Sequence, residues 1–185
     1  MRAHVIGNGF SWKFFKKIEE SDFVLGCNNP NVKVDATVIL DLRFFYKVLQ
    51  RIDPIILDCP IITNNKCKKT YENPKYHYCK DKIIIKDVYS VSEKFKRSYD
   101  LPSNKSGLNS AHFGTLWLIE NGYDEIHVWG CNSIFEYSFL STTDSIVEAD
   151  YKSEVNKSHI DIWRKNWELI NTIYPNINLI YHDKE

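Results

Sequence analysis

Residues 4–11, His4-Val5-Ile6-Gly7-Asn8-Gly9-Phe10-Ser11, constrain the chain more than any other stretch. A short apolar run meets two glycines, then a serine placed to cap a helix from Trp12 to Ile18 and onward to about residue 20. A strand, a tight glycine turn and a helix N-terminus together favour an anion, because free backbone N–H groups and the helix dipole converge there. The usual dinucleotide fingerprint fails at two points. Trp12 stands where the third glycine of Gly-x-Gly-x-x-Gly belongs. The second apolar run ends at Cys27-Asn28, where a ribose-binding acid is expected about 20 residues on. The motif therefore reads as a nucleotide site that is not built for NAD.

Beyond this motif, apolar runs and helical periodicity alternate. Strands are expected at 3–7, 22–27 and 36–40, the last a near-continuous apolar run suited to burial on both faces of a parallel sheet. Leu42 to Ile52 has helical spacing. At least one of Pro54-Leu57 and Pro60-Thr63 should be a strand, residues 64–81 look irregular, and Ile83-Ile84-Ile85 is another strand candidate. Ser110 to Asn121 predicts a helix closed by Gly122, followed by a strand from Glu125 to Gly130. Residues 132–158 are polar and aperiodic, the profile of a lid over a site. A helix from Ile160 to Tyr174 and a strand at 177–181 close the chain. The alternation predicts one Rossmann-like α/β domain over residues 1–185, with a mostly parallel sheet, helices on both faces and the lid segment. In such a fold Gly7–Ser11, Cys27–Asn28 and Gly130–Asn132 should converge beyond the strand ends.

Composition excludes several classes. With 185 residues the chain suffices for a substantial core, and 24 basic residues balance 24 acidic ones. No global field would draw it to nucleic acid or an anionic membrane. Short basic stretches at 66–69 and 94–97 fit solvated faces. No apolar run approaches the ~18 residues of a membrane span, and the first residues lack a signal-peptide h-region. Five cysteines without a Cys-x-x-Cys pair fit reduced thiols, hence a cytoplasmic location. Cys67, His77 and Cys79 could suggest zinc, but a lone cluster with that spacing is a weak signal, and no metal is expected. Oligomeric state is left open, with a homo-oligomer among the possibilities.

Three blocks, Gly7-Asn8-Gly9-Phe10-Ser11, Cys27-Asn28 and Ser110-Ala111 leading to Gly122-Tyr123-Asp124-Glu125-Ile126 and Gly130, stand in an order that resembles the bacterial sialyltransferases of the Campylobacter type. His159-Ile160-Asp161-Ile162, opening a helix before the final strand, extends the likeness, whereas residues 54–100 match weakly. Phe10 stands where the family has Pro, and Cys131-Asn132 where it commonly has an acid. The resemblance implies a single nucleotide-binding domain acting on a CMP-sugar donor without metal or other cofactor. It implies that Asn8 and Gly9, within Gly7–Ser11, face phosphate and ribose. Asn28 would contact the nucleotide, with Asn109 and Ser110 on its cytidine or phosphate side; Gly130 and Asn132, at the converging end of the later strand, complete the candidate nucleotide-binding set. Tyr137 or Tyr151 would steady the leaving phosphate, and His159 would be the base.

Each of these residues also has an ordinary explanation. Asn8 suits a turn between glycines, Asn28 sits in an Asn-Asn-Pro turn, and Ser110 fits a helix cap. Tyr137 and Tyr151 are two of 11 tyrosines, His159 fits a plain helix start, and His112 reads as a packed or solvent histidine. Glycosyl transfer to a hydroxyl acceptor is the leading expectation. A module that binds or sequesters a nucleotide without turnover, or another nucleotide-dependent enzyme acting on nucleic acid or its precursors, are the alternatives.

Overall fold

The computed structural model describes residues 1–50, 57–75, 83–98, 107–137 and 155–183. Their strands are β1 (Arg2–Ile6), β2 (Phe23–Cys27), β3 (Ala36–Ile39), β4 (Ile61–Thr63), β5 (Ile85–Val88), β6 (Glu125–Trp129) and β7 (Asn178–Tyr181). Helices α1 (Leu42–Leu49), α2 (Asn65–Tyr71), α3 (Glu93–Ser98), α4 (Ser110–Glu120) and α5 (Val155–Ile173) alternate with them. The strands form one sheet in the order β5-β4-β3-β2-β1-β6-β7, and every neighbouring pair is parallel. The chain steps outward from β1 to β5, then crosses back to place β6 on the free side of β1. The strand order thus reverses between β1 and β6, leaving a crevice at their carboxyl ends where open α/β sheets bind ligands.

Successive strand residues point to opposite faces, and both faces are covered. Ala3, Val5, Leu25, Val38, Ile126 and Val128 pack with Leu116 and Leu118 of α4 and Trp167 and Ile170 of α5. On the other side Ile39 and Ile61 meet Phe44, Phe45 and Cys67 of α1 and α2, while Ile6, Val24 and Trp129 meet Trp12, Phe14 and Phe15. Helix α4 is buried from Ala111 through Leu118 because it lies against the sheet on one side and α5 on the other. Gly114 lets it approach closely: a Cβ there would stand 2.8 Å from Leu25 Cδ2. Asn109 and Gly122 bracket this helix. The Asn109 side chain accepts the His112 N–H, and Gly122, at φ +87°, sits in a Schellman closure with the Tyr123 N–H on the Leu118 carbonyl.

Several local expectations differ from the structure. No α-helix follows Gly9; Phe10–Phe14 is a five-residue 3-10 helix that stops where Phe15 turns extended. Ser11 does not cap it, because its hydroxyl is engaged by the distant Gly130 N–H. Within 64–81, α2 is capped by the Asn64 side chain on the Cys67 N–H, and the Ile83–Ile85 strand is displaced to Ile85–Val88. Helix α3 is additional, anchored by buried Phe95. The expected lid is helical at both margins, with a 3-10 segment at Asn132–Ile134 and α5 starting at Val155; residues 138–154 lie outside the described residues. Among the described residues, no helix is long and apolar enough to cross a membrane.

Candidate functional site

The two loops flanking the crevice are fastened to each other. Gly7 N–H donates to the Trp129 carbonyl at 2.7 Å, and Gly9 N–H to the Gly130 carbonyl at 2.8 Å, extending the β1–β6 ladder past both strand ends. Gly130 N–H returns a bond to Ser11 Oγ at 2.9 Å, and Ser11 N–H donates to Asn132 Oδ1 at 3.1 Å. The glycines are demanded by this contact. A Cβ on Gly7 would collide with the Gly130 carbonyl, and one on Gly9 would stand 2.5 Å from Asn132 Oδ1 and 2.7 Å from the Gly130 oxygen. Gly130 also holds φ +66°, a region that disfavours side chains. Substituting Gly9 would therefore disturb the loop itself before testing any phosphate contact. With only five 3-10 residues behind the turn, the helix dipole expected there has little length to act over.

A second group joins from β2. Asn8 is buried and its Nδ2 donates to the Cys27 carbonyl at 2.8 Å. The next residue, Asn28, has φ +55°, a left-handed conformation that Asn tolerates better than most residues. Its main chain is tied into β3, its N–H to the Val38 carbonyl and its carbonyl to Thr37 Oγ1, both at 2.9 Å. Its side chain faces the start of α4, where Ser110 Oγ lies 3.5 Å from Asn28 Oδ1. Gly7, Asn8, Gly9, Ser11, Asn28, Asn109, Ser110, Gly130 and Asn132 thus gather at the carboxyl ends of β2, β1 and β6. Asn109 spends its side chain on the α4 cap, in a reciprocal box with His112.

Two side-chain atoms in this group have no partner. Asn8 Oδ1 and Asn132 Nδ2 are buried without a hydrogen bond, one an acceptor and the other a donor. Each amide is oriented by its other atom, on the Cys27 carbonyl and the Ser11 N–H respectively. Buried polar atoms are nearly always satisfied, so this unpartnered acceptor and donor at the sheet's reversal point make the pair a candidate ligand contact.

Tyr137, just past the 3-10 segment, is exposed. It donates to Asp161 Oδ1 at 2.7 Å, with the Arg164 guanidinium 4.2 Å over its ring. The bond to Asp161 keeps its proton in place, raising its pKa. His159 holds a helical backbone position in α5, one residue before buried Ile160; its side chain lies outside what is described, as does all of Tyr151. His112 is packed rather than solvent-facing. Nδ1 accepts the Asn109 N–H, Nε2–H donates to the Trp163 carbonyl at 3.0 Å, and burial pushes the pKa down to about 3. Burial raises the pKa of the Cys27 thiol and takes that of Cys131 up to about 12, which favours the protonated form of both. Among the described residues the cysteines are free, and no three His, Cys, Asp or Glu side chains are grouped to hold a metal ion. Arg164 is the residue the sequence reading missed: one arginine on an amphipathic helix carries no local signal, yet it reaches the Ser133 carbonyl at 2.8 Å.

No family model and no curated protein matches the chain. Solved structures do. The sialyltransferase CstII in complex with a trisaccharide acceptor and CMP is 18% identical, with a TM-score of 0.55 over 98% of this chain and 80% of that one. CstII from Campylobacter jejuni with the substrate analogue CMP-3FNeuAc is 17% identical, with a TM-score of 0.55 over 97% and 79%. The likeness establishes a shared α/β fold along nearly the whole chain.

Proposed function

We propose that this chain is a glycosyltransferase, moving a sugar from a CMP-sugar-like donor to a hydroxyl acceptor without a metal or other cofactor. The carrying observation is the buried, unpartnered pair Asn8 Oδ1 and Asn132 Nδ2 at the strand-order reversal. A nucleotide offers both complements, ribose hydroxyls that donate and phosphate oxygens that accept. The structural neighbours, solved with CMP, a CMP-sugar analogue and an oligosaccharide acceptor, support that choice of ligand.

In this reading Asn8, Asn28 and Ser110 seat the nucleoside between β1, β2 and α4, and Gly7, Gly9, Ser11 and Gly130 shape the floor beneath it. The acceptor oxygen bonds to the anomeric carbon as the carbon–phosphate-oxygen bond breaks and CMP departs. His159 takes the acceptor's proton as a neutral imidazole suited to neutral pH. Tyr137 and Tyr151 hydroxyls stabilise the departing phosphate, Tyr137 exchanging its bond to Asp161 for one to the ligand.

Donor turnover followed by mass spectrometry tests the reading. Release of CMP with mass transferred to an acceptor is the expected result, and His159→Ala should cut that rate by ~10²–10⁴-fold while CMP affinity holds. Tight nucleotide binding with no turnover on any donor would replace transfer with a binding module. A thermal shift by nucleotides other than cytidine ones would point to another nucleotide-dependent enzyme.

A further inference from the structure

We propose that Asn132 and Arg164 form an oxyanion subsite that takes the phosphoryl group of the bound nucleotide. This rests on the nucleotide reading above and adds a residue and a charge to it. Arg164 Nη2 is buried without a hydrogen-bond partner, the same condition as Asn132 Nδ2. Asn132 opens the three-residue segment Asn132–Ile134 at the carboxyl end of β6, and Arg164 is fastened to that same segment. Asn132, 3% exposed, is held by the Ser11 N–H on its Oδ1, which leaves only the amide nitrogen to meet a ligand. Arg164 is held from α5 by its Nε–H on the adjacent Ser133 carbonyl, and the Tyr137 ring lies 4.2 Å beneath its guanidinium. These contacts fix the guanidinium in position while leaving one edge of its fork unused. Asp161, one turn earlier on α5, accepts the Tyr137 hydroxyl at 2.7 Å.

Two donors, one of them cationic, match an oxyanion rather than a neutral hydroxyl. A phosphoryl group can accept from both, and charge-assisted bonds of this kind are the stronger class. The position agrees, since phosphates lie beyond the strand ends at the reversal point of such sheets. Asn132 and Arg164 lie far apart in the sequence, so only the fold brings the Arg164 side chain to the residue beside Asn132.

Two variants separate the donors from the scaffold. Asn132→Asp keeps an oxygen for the Ser11 N–H but turns the unused donor into a negatively charged acceptor. Arg164→Met keeps an apolar stem over Tyr137 and removes the fork. Calorimetric titration with CMP and with cytidine, which lacks the phosphoryl group, reads the difference. Each variant should bind CMP about ten- to a hundredfold more weakly and cytidine within about twofold of the parent. Unchanged CMP affinity in Arg164→Met, or equal losses for CMP and cytidine, overturns the proposal. If Asn132→Asp does not fold, Arg164→Met alone decides. If the parent binds neither ligand, the nucleotide reading has failed, and thermal shift with inorganic phosphate decides the subsite. A rise in Tm that disappears in Arg164→Met supports it; no rise, or an equal rise in both, overturns it.

Discussion

Gly7 and Gly130 face each other across the point where the strand order turns back, and each occupies space the other's side chain would need. Their contact lets the Gly9 N–H reach the Gly130 carbonyl and the Ser11 hydroxyl receive the Gly130 N–H. What looks in the sequence like a phosphate-binding glycine turn is first a clasp between two loops. Gly7→Ala should therefore destabilise the protein by about 1–3 kcal/mol through overpacking, measured as a lower urea midpoint at unchanged slope. An unchanged midpoint would mean that the loops separate without cost. The same clasp orients Asn132, so a loss of ligand binding in this variant would follow from the loop rather than from a lost phosphate contact.

Among the elements, α4 carries the most positional information. Its first residue, Ser110, lies beside Asn28, and its Asn109 cap fixes where the helix begins. Asn109→Ala should cost about 1 kcal/mol, with up to ~2 kcal/mol for so buried a helix, in urea unfolding. It should also weaken nucleotide binding by shifting Ser110. This helix was legible because both punctuation marks, Asn109-Ser110 and Gly122, lie within it or next to it. The inner strands were legible for a similar reason: burial on both faces leaves a continuous apolar run such as Ala36–Ile39. The segment after Gly9 misled because Phe10, Trp12, Phe14 and Phe15 mimic an amphipathic helix, while the bond that redirects Ser11 comes from Gly130. Helix α2 had a readable signal in Asn64, three residues before Cys67, hidden among lysines. The convergence of Asn8, Asn28, Gly130 and Asn132 at one end of the sheet was legible from strand ends alone, whereas Ser110, at a helix start, entered through the order of the sequence blocks. The Arg164 contact was not, because nothing near it in the sequence refers to Ser133.

At the scale of the whole molecule, burial of neutral histidines sets the response to acid. His4 and His112 have no exposed surface. Burial lowers both pKa values, His112 to about 3 and His4 despite the Asp22 carboxylate 3.1 Å away. Unfolded, both would take up protons near pH 6.5, so their contribution is complete above that pH and lost as the pH falls below it. Each such histidine lowers stability by about 1.4 kcal/mol per pH unit while it alone resists protonation. Urea unfolding at pH 7.5, 6 and 5 should show falling stability, and a flat profile would refute the neutral assignment. The strand order has a different consequence, for synthesis. β1 is an interior strand by position, between β2 and β6, but the first by sequence, and its partner β6 lies far downstream: Arg2 and Glu125, whose side chains pair at 2.5 Å, are 123 residues apart. At ~5–20 residues per second, a ribosome needs roughly 6 to 25 s to deliver that partner. Throughout that interval the nascent chain carries an apolar strand edge with nothing to pair with, an aggregation hazard that ends only when β6 emerges.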